Sequence, residues 1–195
     1  MQVRVAQSSL APAGLPAGRR VPRGNMRWYL VHTPAGMEQS TCKKLLKLIP
    51  ADLLADAFTL QKERWEKRNG VWSIRRIQMY PEYFFAVSRD VQGLNSALRK
   101  LSFHVDLVGS AERAVMPLSE DARTFFERAS DPDRVIRSST AVIEGGMLHV
   151  TDGPLVGCEH LITKVDRHKR RCWVSVGEPG GGFLEALPLE VPKKS

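Results

Sequence analysis

The sequence predicts an α+β protein built as two small domains. Three observations carry that expectation. Helical stripes and β-favouring runs alternate from Arg27 to Ala129, short strands and turns alone follow from Ala141, and a polar stretch, Ser130 to Thr140, lies between. The chain has 195 residues, 43% of them hydrophobic, which suits one ordinary domain or two small ones with a core.

The elements follow in order. Arg27 to Thr33 is a β-favouring run containing Trp28, Tyr29, Leu30 and Val31, ended by Pro34. Cys42, Leu45, Leu46 and Ile49 fall on one face of a helix that Pro50 stops. Residues 57–68 and 71–78 flank Asn69-Gly70, the strongest short-range hairpin signal, and predict two paired strands. Tyr83 to Val87 reads as a buried strand just past Pro81. Val91, Leu94, Leu98 and Leu101 form a second helical stripe, and Phe103 to Val108 a strand ended by Gly109. Ser119 caps a third helix, with Glu120 and Asp121 in its first turn and Ala122, Phe125, Phe126 and Ala129 on its buried face. The order is β-α-β-β-β-α-β-α, helices on a mostly antiparallel sheet.

Residues 131–140 contain Asp131-Pro132-Asp133, lack an apolar stripe and read as a linker. Beyond them, Met147–Thr151, Leu161–Asp166, Cys172–Val176 and Phe183–Leu187 alternate with turn residues such as Asp152-Gly153-Pro154 and Gly180-Gly181-Gly182. Short strands without a helix over residues 141–195 predict a small β-barrel.

The formal net charge is +8, which invites a polyanionic partner, nucleic acid before anionic membrane. Its distribution is uneven. Residues 1–25 carry four arginines and no acid, residues 26–130 carry 16 basic and 12 acidic side chains, and residues 140–195 carry seven of each. The first 25 residues, rich in Ala, Pro, Gly and Ser, read as a disordered basic tail or a mis-assigned start ahead of Met26. They lack the apolar stretch of a secretory signal. No window approaches 18 consecutive apolar residues, so no membrane-spanning helix is expected. Cys42, Cys158 and Cys172 form no Cys-x-x-Cys pair, so neither a disulfide framework nor a zinc site is supported and the cytoplasm is the expected compartment.

Catalysis finds little support. The glycine-rich stretches lack the Gly-Lys-Ser/Thr of a phosphate loop, and His32, His104, His149, His160 and His168 share no ligand spacing. Asp152, near His149, reads as a turn residue. No enzyme activity, cofactor or metal is expected. Two basic clusters remain. Arg64, Lys67, Arg68, Arg75 and Arg76 surround the Asn69-Gly70 turn, where they either track nucleic acid or protect an edge hairpin from aggregation. Arg167, His168, Lys169, Arg170 and Arg171 crowd the turn between two strands, with Lys164 extending the patch. They suit phosphate contacts or form an ordinary solvated turn.

The order of motifs resembles the NusG family. Trp28-Tyr29-Leu30-Val31-His32-Thr33 followed by Gly36 and a helix resembles the opening of the NusG amino-terminal domain, and Tyr80-Pro81-Glu82-Tyr83-Phe84-Phe85 resembles its Phe-Pro-Gly-Tyr segment. Gly146 to Asp166 resembles a KOW motif. The likeness covers residues 27–190, and Val165 to Arg171 is most similar to the LoaP antitermination paralogues. Glu82 and His160 depart from it, each standing where the family usually has glycine.

The resemblance implies a ferredoxin- or RRM-like amino-terminal α/β sandwich over residues 26–130 and an SH3-like KOW barrel over 141–195. It implies a monomeric bacterial elongation factor that docks on the clamp helices of RNA polymerase and promotes processive antitermination. Tyr80 and Tyr83, with Trp28 on the neighbouring strand, match the polymerase-facing region; periodicity alone reads all three as core aromatics. The basic turn with Lys164 would contact a nascent RNA hairpin. Gly177 to Phe183 replaces the Ile-Phe-Gly loop that meets Rho or ribosomal protein S10, which argues against both couplings. A free-standing KOW-type RNA- or ribosome-binding protein and a termination-promoting NusG are the alternatives. A chain started at Met26 is expected to retain full activity; loss of function on deleting residues 1–25 would show that the tail takes part.

Overall fold

The computed structural model describes residues 25–109, 115–178 and 182–192, so the expected basic tail lies outside the described residues. The architecture is α+β. The amino-terminal sheet has the order β2-β5-β1-β6, from β1 (Arg27–His32), β2 (Asp56–Phe58), β5 (Tyr83–Ser88) and β6 (Asp106–Leu107). All its pairings are antiparallel, with Trp28 opposite Val87, Leu30 opposite Phe85 and His32 opposite Tyr83.

Side chains alternate across a strand, so this register sorts the sheet into two faces. Tyr29, Val31, Phe84 and Ala86 pack against α1 (Glu38–Leu48) and α2 (Val91–Leu98) through Cys42, Leu45, Leu94 and Leu98. Trp28, Phe85 and Val87 pack on the other side with α3 (Glu120–Ala129) through Ala122, Phe125, Phe126 and Ala129. β5 is buried on both faces, which explains its unbroken apolar run. The caps follow the chemistry of their residues. Asp90 accepts the Gly93 N–H at 2.8 Å to start α2, and Ser119 accepts the Ala122 N–H at 3.3 Å to start α3.

β3 (Gln61–Arg68) and β4 (Val71–Gln78) form the expected hairpin. Asn69 and Gly70 both have positive φ, 50° and 82°, as a two-residue turn matched to strand twist requires. The single strand expected over 57–68 is in fact two. β2 stays in the first sheet, whereas β3 joins β4 and a short strand β7 (Val135–Ile136) in a second one. The break leaves Ala57, Phe58 and Leu60 buried and frees the hairpin to leave the sheet. The strand expected over Phe103–Val108 shortens to the two residues of β6.

Residues 131–140 are not a free tether. Val135 and Ile136 are fully buried, and β7 pairs in parallel with β3, Gln61 opposite Val135. The Asp131 carboxylate accepts the Val135 N–H at 2.9 Å and Arg137 Nε at 2.7 Å. Burial raises its pKa, but these donors outweigh that and hold it below the usual carboxylate range. Glu63 accepts the Ser138 N–H at 2.7 Å, and Trp65 donates to Ser138 Oγ at 2.9 Å. A composition scan misses a two-residue strand because a Val-Ile pair sets no periodicity.

The carboxyl-terminal sheet has the order β10-β11-β12-β8-β9, from β8 (Ser139–Glu144), β9 (Met147–Asp152), β10 (Ile162–Asp166), β11 (Arg171–Val176) and β12 (Phe183–Glu190). Ala141, Val150, Leu155, Cys172, Val174, Leu187 and Leu189 fill its core. His160 lies in a short 3-10 turn, Glu159–Leu161, and needs no left-handed backbone; Gly157, just before, takes φ 73° instead. Gly153 is the stringent position. It has φ 94°, and a Cβ there would lie 2.7 Å from Ser139 Cα. Gly153→Ala is therefore expected to lower stability by about 2–4 kcal/mol, read as a fall in urea midpoint at unchanged m-value.

Candidate docking face and basic groove

One apolar cluster runs from the amino-terminal sheet through α3 into the carboxyl-terminal sheet, so the two parts share a core. Trp28, Leu30 and His32 alternate along one face of β1, opposite Val87, Phe85 and Tyr83. The three aromatics expected to dock a partner therefore belong to one face but differ in cover.

Trp28 is a core residue, 3% exposed. Its ring meets Phe58 edge-on at 4.7 Å and lies 5.5 Å from Phe85, and the Arg134 guanidinium sits 5.6 Å above it. It cannot act as an exposed anchor, because α3 and β2 close that end of the face.

Tyr80 sits mid-face, half-buried. Its ring packs edge-on against Phe85 and Phe126 at 5.9 and 6.4 Å. Its hydroxyl donates to Glu185 Oε2 at 3.0 Å, and Lys62 Nζ donates to Glu185 Oε1 at 2.6 Å and to the Ala186 carbonyl at 2.7 Å. Burial pushes the Tyr80 phenol well above its usual pKa, and the charge and hydrogen bond of Glu185 push it further. Beside the ring lies an apolar cavity of about 390 Å³, lined by Leu30, Tyr80, Met116, Leu118, Phe126 and Phe183 among others.

Tyr83 lies at the open end of the face. It is half-buried, with its ring 5.3 Å from His32, which in turn sits 6.0 Å from His104. The Tyr80-Pro81-Glu82-Tyr83 turn thus sends one tyrosine under the carboxyl-terminal sheet and leaves the other near solvent.

The hairpin cluster is split by strand parity. Glu66 pairs with Arg64, with Arg75 at 3.4 Å and with Arg68 at 3.5 Å. The hydrogen bond from Arg64, then the charges of Arg75 and Arg64, hold its carboxyl below the usual range. The alternate residues Trp65, Lys67 and Trp72 turn towards the carboxyl-terminal sheet, with Lys67 opposite Trp72. Arg76 lies opposite Glu63 and remains exposed.

The basic turn between β10 and β11 meets this side of the hairpin. Arg170, at φ 47°, places its guanidinium 4.5 Å from the rings of both Trp65 and Trp72 and pairs with Glu190 at 2.7 Å. It belongs to the contact between the two parts rather than to a free RNA-facing surface. Arg171 stacks on Trp173 at 4.6 Å, 3.7 Å from Asp166, and Lys164 lies 5.0 Å over the same ring from the other strand. Arg167, His168 and Lys169 are exposed. Between turn and hairpin lies a groove of about 420 Å³ whose lining includes Lys67, Trp72, Lys169, Arg170 and Arg171. The two basic clusters, far apart in sequence, share one groove.

No known family profile matches the chain, and no curated protein matches it. Among solved structures, it is similar to one described as "Domain interaction in Thermotoga maritima NusG". The two share 17% sequence identity with a TM-score of 0.47, over 84% of this chain and 94% of that one.

Trp65, Trp72, Lys62 and Glu185 join the site only in the fold. The two tryptophans do carry a local signal, because a two-residue Asn-Gly turn fixes the register and puts Trp65 and Lys67 on one side, opposite Ile74 and Trp72. Glu185 gives no local signal, since its partners lie more than 100 residues away. Among the described residues, no three His, Cys, Asp or Glu side chains gather as a metal site would require, and no helix is long and apolar enough to cross a membrane.

Glu185→Ala is expected to destabilise the protein by about 2–3 kcal/mol by leaving Lys62 half-buried without its carboxylate. The Tyr80 phenol should then titrate closer to the ordinary value near 10. Because folding raises this pKa, the stability linked to it is fully present below about pH 10 and is lost progressively as pH rises towards the folded value. Tyrosinate absorbance against pH, in parent and variant, checks the shift.

Proposed function

We propose that this chain is a bacterial NusG-family transcription elongation factor that binds RNA polymerase and promotes processive antitermination. On this reading it is not an enzyme. Its residues 26–130 form the NusG amino-terminal domain, and residues 141–195 form a KOW barrel of the LoaP type that contacts RNA. The observation that carries the reading is the single sheet face that grades from buried Trp28 through half-buried Tyr80 to Tyr83 at an open edge. Three ordered motifs support it: the opening strand from Trp28, the Tyr-Pro-Glu-Tyr turn, and the segment from Gly146 to Asp166.

The action is a bias on an existing equilibrium rather than bond chemistry. Aromatic side chains on a partly covered apolar face suit a protein partner such as the polymerase clamp helices, because such residues concentrate binding energy. Tyr83 and His32 offer the accessible edge. Tyr80 becomes available only if Glu185 and Phe183 move aside, since the carboxyl-terminal sheet closes over it. Arg167, Lys169 and Lys164 supply cations for a nascent RNA hairpin.

The protein should copurify with core RNA polymerase after nuclease treatment, and should raise readthrough of terminators in vitro on a template carrying its own upstream leader. Tyr83→Ala should weaken that association about tenfold or more. No association of the parent protein with polymerase would overturn the reading; increased termination would favour the termination-promoting alternative.

A further inference from the structure

We propose that the groove between the hairpin and the β10–β11 turn binds the backbone of single-stranded RNA across both parts of the protein, and that bound RNA thereby holds the carboxyl-terminal sheet on the amino-terminal face. The proposal rests on the basic turn being an RNA contact, and extends it to a second surface and to a consequence for docking.

The cations around the groove are not equivalent. Lys62 is neutralised by Glu185, Arg64 by Glu66 and Arg170 by Glu190. Lys67, from the hairpin, lies 5.9 Å over the Trp72 ring and has no carboxylate within ion-pair distance among the described residues. Lys169, from the turn, likewise has no carboxylate partner for its ammonium among the described residues. One such lysine thus stands on each side of the same 420 Å³ groove. Docking brings these like charges to one groove, where the lining carboxylate of Glu63 is already engaged with Arg137 and the Ser138 N–H, so a further anion between the lysines is favoured.

A phosphodiester strand fits that demand, because it offers a series of negative charges to both sides at once. The surrounding aromatic rings favour a single strand over a duplex. Trp65 and Trp72 line the groove, and Trp173 lies beyond Arg171 with Lys164 and Arg171 on its ring. Arg170 already lies against Trp65 and Trp72, so unpaired bases would meet the ring edges and the flat guanidinium planes of Arg170 and Arg171, which bases stack on as they do on aromatic rings. A strand that contacts both lysines binds the docked arrangement better than the separated one. By linkage it opposes separation and keeps Tyr80 covered.

The test uses the full chain with a ten-nucleotide oligouridylate, by fluorescence anisotropy over a range of salt. Lys67→Gln and Lys169→Gln should each weaken binding about fivefold at 0.1 M salt and reduce the salt slope by about 0.7, the double variant about 25-fold and 1.4. Both lysines are exposed, so folding should be unaffected. Hydrogen exchange supplies the second readout. The Ser138 N–H, bonded to Glu63, should exchange more slowly when the oligonucleotide is bound. An effect of Lys169→Gln alone, tighter binding of a ten-base-pair DNA duplex, or faster exchange at Ser138 on binding would each overturn the proposal. None of these measurements involves polymerase, so their failure leaves polymerase association to be judged by its own test.

Discussion

The central strands β1 and β5 are apolar on both faces, and the rest of the molecule is arranged to cover them. Helices α1 and α2 close one face completely through Cys42, Leu45, Leu94 and Leu98. On the other face α3 is only ten residues long and contributes Ala122, Phe125, Phe126 and Ala129, which reach Trp28 and Phe85 but not the whole strand pair. Leaving Leu30 and Tyr80 bare would expose a contiguous apolar patch of the kind that marks an interaction site. The carboxyl-terminal sheet supplies the missing cover through Phe183 and Glu185. A face built this way is closed by a distant part of the same chain, through one ring contact and one hydrogen bond.

The chemistry of that cover differs from the chemistry of a core. Shared apolar burial draws the two parts together without direction, whereas the polar contacts fix how they sit. Glu185 bridges Tyr80 and Lys62, Glu63 bridges Arg137 and Ser138, and Arg170 inserts between two tryptophans. Each of these groups is partly desolvated, so losing one partner strands the other. Registration by such pairs is stricter than by apolar area alone. They also bring positive side chains of the hairpin and the turn to one groove, a repulsive arrangement that local carboxylates only partly offset.

Much of this was legible in the sequence, and the misses have physical causes. The three helical stripes and the Asn69-Gly70 hairpin are local signals, and the structure follows them. The break between β2 and β3 was hidden because both pieces are short and β-favouring. β7 was hidden because two residues define no period. The burial of Trp28 depends on what α3 and Phe58 place over it, and the fate of Arg170 depends on a positive φ and two distant tryptophans. Tertiary contacts decided these cases. Pattern reading places residues on faces, and it cannot tell which faces will be covered.

The turn from Tyr80 to Tyr83 shows how one backbone position links the fold to the candidate docking face. The Tyr83 N–H donates to the Tyr80 carbonyl at 3.1 Å, Pro81 follows Tyr80, and Glu82 has φ 70°. That is the pattern of a type II turn, in which the third residue adopts a conformation glycine takes freely and a glutamate takes at about 1–2 kcal/mol. Glu82 is exposed, so nothing packs around its side chain to force the choice. What holds the position is its N–H, donated at 2.8 Å to the buried carboxylate of Glu38 in the first turn of α1. Burial raises the Glu38 pKa, but the backbone N–H groups of Glu82, Glu38 and Gly36 outweigh it and keep the carboxylate charged. A charged acceptor makes the stronger hydrogen bond, worth about 1.5–3 kcal/mol, which is enough to offset the strained turn. The divergence of Tyr80 from Tyr83 therefore depends on a carboxylate placed on a helix on the opposite side of the sheet.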